Sequence, residues 1–247
     1  MTNARLTTVV PTGTLTKTAR IIEVFSSVQG EGLHVGELHL FVRFWDCNMQ
    51  CHYCDTDYQG SFRELSEEEI TVALGQFPGN HTAVSLTGGE PLLWRPFLES
   101  FLPRLKSKGE QIYLETNGTL PEALGKVVQW VDVVAMDVKP PSATGDKAYW
   151  REHEAFLRVA LEAPHHPELF VKLVMTPQVT REDFDRVLSL IQRVDGTIPL
   201  VLQPVTPQRE AERTLESGQL MEWFRLAQQE LNHVRLIPQV HPKLGLP

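Results

Sequence analysis

The sequence predicts an α/β fold, a single domain whose parallel sheet curls into a partial (β/α)6 barrel. Three observations predict it. From Arg20 onward, short apolar runs alternate with amphipathic stretches of helical period. Strands separated by helices need crossover connections, the mark of βαβ units and parallel pairing. About six such units fit between the cysteine run at 47–54 and the end of the chain, too few for an eight-unit barrel, so an open or partial barrel follows.

In order along the chain, strand-like runs fall at residues 21–25, 38–44, 83–87, 111–115, 131–138, 169–175, 200–203 and 234–240. Ser66 followed by Glu67, Glu68 and Glu69 fits a capping box that opens a helix through about Phe77. Thr180 stands before the helical pattern Phe184, Val187, Leu188, Ile191. Further helices are expected near 94–106, 121–130, 147–162 and 212–231. Residues 1–19 are rich in Thr, contain Pro11 and Gly13, and have no periodicity, so they read as a flexible N-terminal arm. Residues 20–247 show no repeat or linker and read as one domain.

Bulk properties narrow the class. Hydrophobic residues make up 42%, ordinary for a globular protein. No apolar stretch approaches the roughly 20 residues needed to span a bilayer. The N-terminus lacks the apolar core of a secretion signal, which makes the cytoplasm the expected compartment. A net charge of -8 and a pI of about 5.6 argue against nucleic-acid binding, which needs a basic footprint. They leave room for a small anionic ligand held by a few local cations.

The three cysteines cannot form a complete set of disulfides, and all of them lie in one run, Cys47-Asn48-Met49-Gln50-Cys51-His52-Tyr53-Cys54. Soft thiolates select zinc, Cu(I) or iron–sulfur clusters. Zinc would require a fourth ligand, which His52 or a distant histidine offers. A 4Fe-4S cluster on three cysteines leaves one iron free to bind a substrate or cofactor. Downstream, Thr87-Gly88-Gly89-Glu90-Pro91 follows a strand; adjacent glycines admit a ligand close to the backbone, and a carboxylate there can accept from an ammonium group. A lone glycine pair is as readily a simple turn. Glu115-Thr116-Asn117-Gly118 and Asp137-Val138-Lys139-Pro140-Pro141 end the next two strands, and Gln203 ends another. Barrel enzymes build their sites at such strand ends, although each group alone is equally a helix cap or a solvated loop.

The C-x3-C-x2-C spacing, with Tyr53 just before the last cysteine, resembles the radical S-adenosylmethionine (SAM) signature. The run from Thr87 to Pro91 resembles that superfamily's motif for the amino group of SAM. Upstream, Glu23-Val24-Phe25-Ser26-Ser27-Val28-Gln29-Gly30-Glu31-Gly32 precedes Phe41-Val42-Arg43-Phe44, Asp46-Cys47-Asn48 and Cys54-Asp55-Thr56. Together these resemble the 7-carboxy-7-deazaguanine synthase family of deazapurine (queuosine-type) biosynthesis, from about Arg20 to the C-terminus.

That resemblance implies a partial TIM barrel with a 4Fe-4S cluster on Cys47, Cys51 and Cys54. It implies SAM contacts from Tyr53, Asp55, Gly89 and Glu90, and from Asn117, Asp137, Val138 and Lys139 at the later strand ends. It implies Mg²⁺ on the Thr56 hydroxyl. Substrate contacts are implied for Val28, Gln29, Gly30 and Glu31, for Arg43 and Thr87, and for the terminal carboxylate of Pro247. No ordinary side-chain acid or base is singled out. The implied substrate is 6-carboxy-5,6,7,8-tetrahydropterin, converted to 7-carboxy-7-deazaguanine with loss of ammonia through a 5′-deoxyadenosyl radical and a Mg-assisted ring contraction. A planar polar heterocycle needs paired donors and acceptors, and a guanidinium such as Arg43 matches a carboxylate bidentately. The implied partners are the carboxypterin, a flavodoxin- or ferredoxin-like electron donor, and a second copy in a homodimer. Two other readings stand beside this one. A small radical SAM activase acting on a partner protein shares the short chain but gives no reason for Gln29, Gly30 and Glu31 with Arg43. A non-enzymatic zinc-binding module would be colourless and free of sulfide.

Overall fold

A computed structural model describes residues 17–54, 56, 61–77, 79–207 and 214–246. Strand β1 (Thr18–Val28) pairs antiparallel with β2 (Leu38–Phe44) and, along its first residues, with β3 (Arg63–Ser66). From β2 the strands β4 (Ala83–Gly88), β5 (Ile112–Thr116), β6 (Val133–Val138), β7 (Glu168–Met175), β8 (Leu200–Pro204) and β9 (Val234–Leu236) follow in parallel. The order β3-β1-β2-β4-β5-β6-β7-β8-β9 leaves β3 and β9 as edges, so the barrel is partial and open.

The crossovers that join successive parallel strands are α1 (Glu67–Leu74), α2 (Arg95–Ser107), α3 (Pro121–Val127), α5 (Trp150–Leu161), α6 (Arg181–Asp195) and α7 (Ser217–Glu230), which agrees with the expected unit count. Two short turns, α4 (Pro141–Thr144) and α8 (His241–Leu244), lie beside the strand ends. The expected caps are present. Ser66 Oγ accepts from Glu69 N while Glu69 Oε2 accepts from Ser66 N at 2.8 Å, and Thr180 caps α6 by accepting from Asp183 N. Among the described residues no helix is long and apolar enough to cross a membrane.

Three details depart from the sequence reading. β1 begins at Thr18 with Ala19 fully buried, so the expected arm of 1–19 overlaps the sheet; residues 1–16 lie outside the described residues. β3 was not expected, because only Leu65 of its four residues is buried and no apolar run announces it. The last strand stops at Leu236 rather than 240, since Pro238 has no N–H to continue the ladder.

Two-residue alternation divides the core. Outward-facing Val42, Leu86, Leu114, Val134 and Leu173 pack under the helices against Phe97, Phe101, Phe156 and Phe184. Inward-facing Tyr113, Ala135, Phe170 and Val201 form a smaller apolar cluster inside the barrel, joined by Leu33 from the β1–β2 loop. Advancing two residues from that cluster, the same inward face carries Glu115, Asp137, Lys172 and Gln203 at the C-terminal ends of the strands.

Candidate active site

These strand ends open onto a cavity of about 1180 Å³, part of it continuous with solvent. It gathers most of the expected residues from separate parts of the chain. Cys47, Cys51, Tyr53, Cys54 and Thr56 line it from the loop after β2, Val28 from the end of β1, and Gln29, Gly30 and Glu31 from the β1–β2 loop. Arg43, Thr87, Gly89, Asn117, Asp137 and Lys139 complete the set at the strand ends. Asp55 and Pro247 lie outside the described residues.

The cysteines are free thiols, and burial raises Cys47 above its ordinary value and Cys51 to about 11. Those two thiols are therefore proton-bound until a metal displaces the protons. Among the described residues, the only three His, Cys, Asp or Glu donors within 4.8 Å of one another lie elsewhere in the fold, so the three thiols are not drawn together around a single ion. Asn117 organises the loop. Its amide donates 2.8 Å to Asn48 Oδ1 and points at Cys47 Sγ at 3.8 Å, and its Oδ1 accepts from Thr119 Oγ1 at 2.6 Å.

Two expected SAM contacts face away from the cavity. Glu90 is fully buried and does not line it; Oε1 accepts from Thr116 Oγ1 at 2.9 Å and Leu92 N at 3.1 Å, and Oε2 from Asn117 N at 2.8 Å. It braces Asn117 from behind, and burial lifts its carboxyl to about 7 despite these donors. Val138 points outward into the helix-covered core, one residue out of phase with Asp137. Gly88 has φ +104, and a Cβ there would meet Phe44 O at 2.4 Å, so the first glycine of the pair lets β4 pass close to β2.

An interlocked polar layer fills the side of the cavity away from the cysteines. Gln29 Nε2 donates to Glu115 Oε1 at 2.9 Å, Thr87 Oγ1 to Glu115 Oε2 at 2.7 Å, and Glu31 N to Gln29 Oε1 at 3.1 Å. Glu31 is ion-paired with Lys172 and accepts from Gln239; Lys172 also lies 3.3 Å from Asp137, which in turn pairs with Lys139 at 3.1 Å. Burial opposes the charge on Glu31, but the Lys172 ammonium and hydrogen bonds from Lys172, Gln239 and Gln203 hold its carboxyl well below the usual range. Burial likewise opposes Lys172, and the carboxylates of Asp137, Glu31 and Glu115 keep it charged. Glu115, more buried than compensated, is raised. Two buried acceptors in this region, Asp137 Oδ1 and Gln203 Oε1, have no hydrogen-bond partner, which suits a ligand that brings donors.

Sequence reasoning passed over Lys172, Gln239 and His241, and it noted Glu115 without giving it a role. A lysine in the middle of the otherwise apolar β7 was the available signal, because a strand buried on both faces carries a charge only where something inside pairs with it.

The model of the Radical SAM superfamily matches residues 46–191. The chain is 35% identical, over 92% of its length and 97% of the relative's, to the 7-carboxy-7-deazaguanine synthase of Geobacter sulfurreducens. Its fold is similar to a crystal structure of QueE from Escherichia coli, with a TM-score of 0.60 at 19% identity over 90% of this chain and 94% of that one. It is also similar to Streptococcus suis SuiB bound to S-adenosylmethionine, with a TM-score of 0.55 at 14% identity over 78% of this chain and 48% of that one. The chain therefore belongs to the radical SAM superfamily and, within it, to the 7-carboxy-7-deazaguanine synthase family, as a radical SAM enzyme whose cofactors are a 4Fe-4S cluster, SAM and Mg²⁺.

Proposed function

We propose that the enzyme converts 6-carboxy-5,6,7,8-tetrahydropterin to 7-carboxy-7-deazaguanine with loss of ammonia. The observation that carries this reading is the polar layer of Gln29, Glu31, Thr87 and Glu115, set in the same cavity as the three cysteines. Donors and acceptors gathered there suit the edge of a pterin, which can exchange their mutual hydrogen bonds for its own, and the unpartnered Gln203 Oε1 offers a further acceptor. Phe25 and Phe41, stacked with ring centroids 4.9 Å apart, give the cavity an apolar wall. Beside them Arg43, over the Phe25 ring and anchored to Glu23 at 2.7 Å, presents a guanidinium to a carboxylate.

Cys47, Cys51 and Cys54 would hold the cluster, and Asn117 would donate toward Cys47. SAM would lie against Tyr53, Gly89, Asp137 and Lys139, with Asp137 Oδ1 open to its donors. Thr56 would hold Mg²⁺ together with substrate oxygens, since Mg²⁺ often draws ligands from substrate and water. When bound, the cluster and SAM supply a 5′-deoxyadenosyl radical able to take the C6 hydrogen, with Mg²⁺ assisting the ring contraction. The chain's own residues orient the pterin and exclude water. An external flavodoxin- or ferredoxin-like protein would deliver the electron, and a homodimer is the assembly expected from the prevalence of two-fold pairs.

The test is anaerobic reconstitution with iron and sulfide, then incubation with SAM, reductant, Mg²⁺ and the carboxypterin. The expected product is the deazaguanine acid, identified by mass. SAM cleavage without it would overturn the substrate assignment and leave the superfamily chemistry intact.

A further inference from the structure

At the opposite end of the barrel from the cysteines, where the parallel strands begin, a second group of side chains converges. His34 and Glu37 from the β1–β2 loop and His39 from the start of β2 bring donor atoms that all lie within 4.8 Å of one another. His39 is fully buried and its Nε2 has no hydrogen-bond partner. The atom it faces, Glu37 Oε2 at 3.5 Å, is also buried and has none. The remaining nitrogen of His39, Nδ1, is 2.8 Å from Ser85 Oγ. His34 spans two carboxylates, with Nδ1 3.1 Å from Glu37 Oε1 and Nε2 3.2 Å from Glu168 Oε2.

A neutral imidazole carries one proton. With that proton on Nδ1 of His39, donated to Ser85 Oγ, Nε2 directs a lone pair at Glu37 Oε2; with it on Nε2, Ser85 Oγ donates to Nδ1 and the 3.5 Å gap to Glu37 holds a long hydrogen bond. In the first tautomer two acceptors face each other out of water, an arrangement that a cation between them would stabilise. We propose that His34, Glu37 and His39 form a binding site for one zinc ion, separate from the cysteine cavity. Two imidazoles and a carboxylate are a donor set that zinc favours. The Glu37 carboxylate stands between the two imidazoles with one oxygen toward each, Oε1 3.1 Å from His34 Nδ1 and Oε2 3.5 Å from His39 Nε2. Each histidine also has its other nitrogen against an oxygen, Ser85 Oγ or Glu168 Oε2, the arrangement that orients zinc-bound imidazoles. His34, Glu37 and Glu168 are partly exposed and give an ion a way in, while a water completes the fourth position.

The position gives the ion a role. His34 and Glu37 stand at the base of the loop that carries Gln29, Gly30 and Glu31 into the cavity, and Glu37 O accepts from Gln29 N at 2.7 Å. Zinc would clamp that base to β2 and so hold the loop inside the barrel.

The test uses holoenzyme with its cluster reconstituted, so that the thiols are occupied, dialysed against a chelator and titrated with Zn²⁺ against a chromogenic competitor. The expected result is one zinc per chain, with a first shell of nitrogen and oxygen only, at about 2.0–2.1 Å by X-ray absorption. Glu37→Gln and His34→Gln, both on partly exposed side chains, should each weaken binding at least tenfold while iron content and far-UV circular dichroism stay as in the parent. Amides of residues 29–37 should exchange more slowly with zinc bound. No bound zinc, a sulfur shell at about 2.3 Å, or parental affinity in Glu37→Gln would overturn the site. Exchange in the loop that ignores zinc would overturn the clamp.

Discussion

Replacing Lys172 by methionine keeps the bulk of a buried side chain and removes the one cation that touches both Glu31 and Asp137. Lys172 is 7% exposed and Glu31 16%, so solvent screens the pair little. Breaking such a pair leaves buried carboxylates uncompensated and costs about 3–5 kcal/mol. At about 2–4 °C per kcal/mol for a chain of this size, that lowers the melting midpoint by roughly 6–20 °C. The sign of the pH dependence follows from Glu31. In the parent its folded-state carboxyl lies below the unfolded value, so the stability it contributes is present above the unfolded value and is lost as pH falls. In Lys172→Met burial acts unopposed and the folded value rises, so the native state takes up a proton in mild acid. The penalty should then be largest at pH 8 and shrink toward pH 5. Urea titrations of apo-protein at pH 5 to 8, followed by circular dichroism with a constant slope, measure it. A variant as stable as the parent at pH 8, or one whose penalty ignores pH, would refute the account. Adding Glu31→Gln should recover stability beyond the sum of the single changes, because it removes one of the stranded charges.

Other substitutions probe the rest of the site. Cys47→Ala should abolish iron retention and SAM cleavage while far-UV circular dichroism holds, and a variant that keeps both would sink the cluster assignment. Glu90, held at about 7, binds a proton in the native state that the unfolded chain has already released, so parental stability should fall between about pH 4.5 and 7. Glu90→Gln should flatten that slope and sit about 1–3 kcal/mol lower overall, because its amide faces the Asn117 N–H; an unchanged slope in chemical denaturation would count against it. At Gly30 a Cβ would lie 2.1 Å from His241 Nδ1, so Gly30→Ala should displace the C-terminal segment. The expected readouts are faster amide exchange over residues 240–246 and a KM for the carboxypterin raised about tenfold, equivalent to about 1.4 kcal/mol. Exchange identical to the parent would argue against that seam.

Much of the parallel sheet was legible because its strands are apolar runs between capped helices, as at Ser66 and Thr180. The antiparallel start was not, since apolar periodicity gives a strand's existence but not its direction. The cysteine loop and most lining residues were likewise legible as short motifs. Lys172 and Gln239 were hidden for a different reason: they meet Glu31 only in three dimensions, across gaps of 141 and 208 residues. Glu90 shows the converse case. It sits in a ligand-binding motif, yet its three hydrogen bonds go to Asn117, Thr116 and Leu92, and its contribution passes through Asn117.

The contact between Gly30 and the C-terminal segment, where Val240 N donates to Gly30 O at 2.9 Å, also sets an order of assembly. Chains emerge from the ribosome N-terminus first. The stretch that matches the superfamily, 46–191, is complete well before Gln203, Gln239 and His241 are made. Glu31 precedes both of its partners in the chain, so its carboxylate is fully held only after Lys172 and then Gln239 have been made. The stretch that carries the three cysteines can thus fold while one wall of the cavity is still missing, and the segment around Gln239 and His241 closes it.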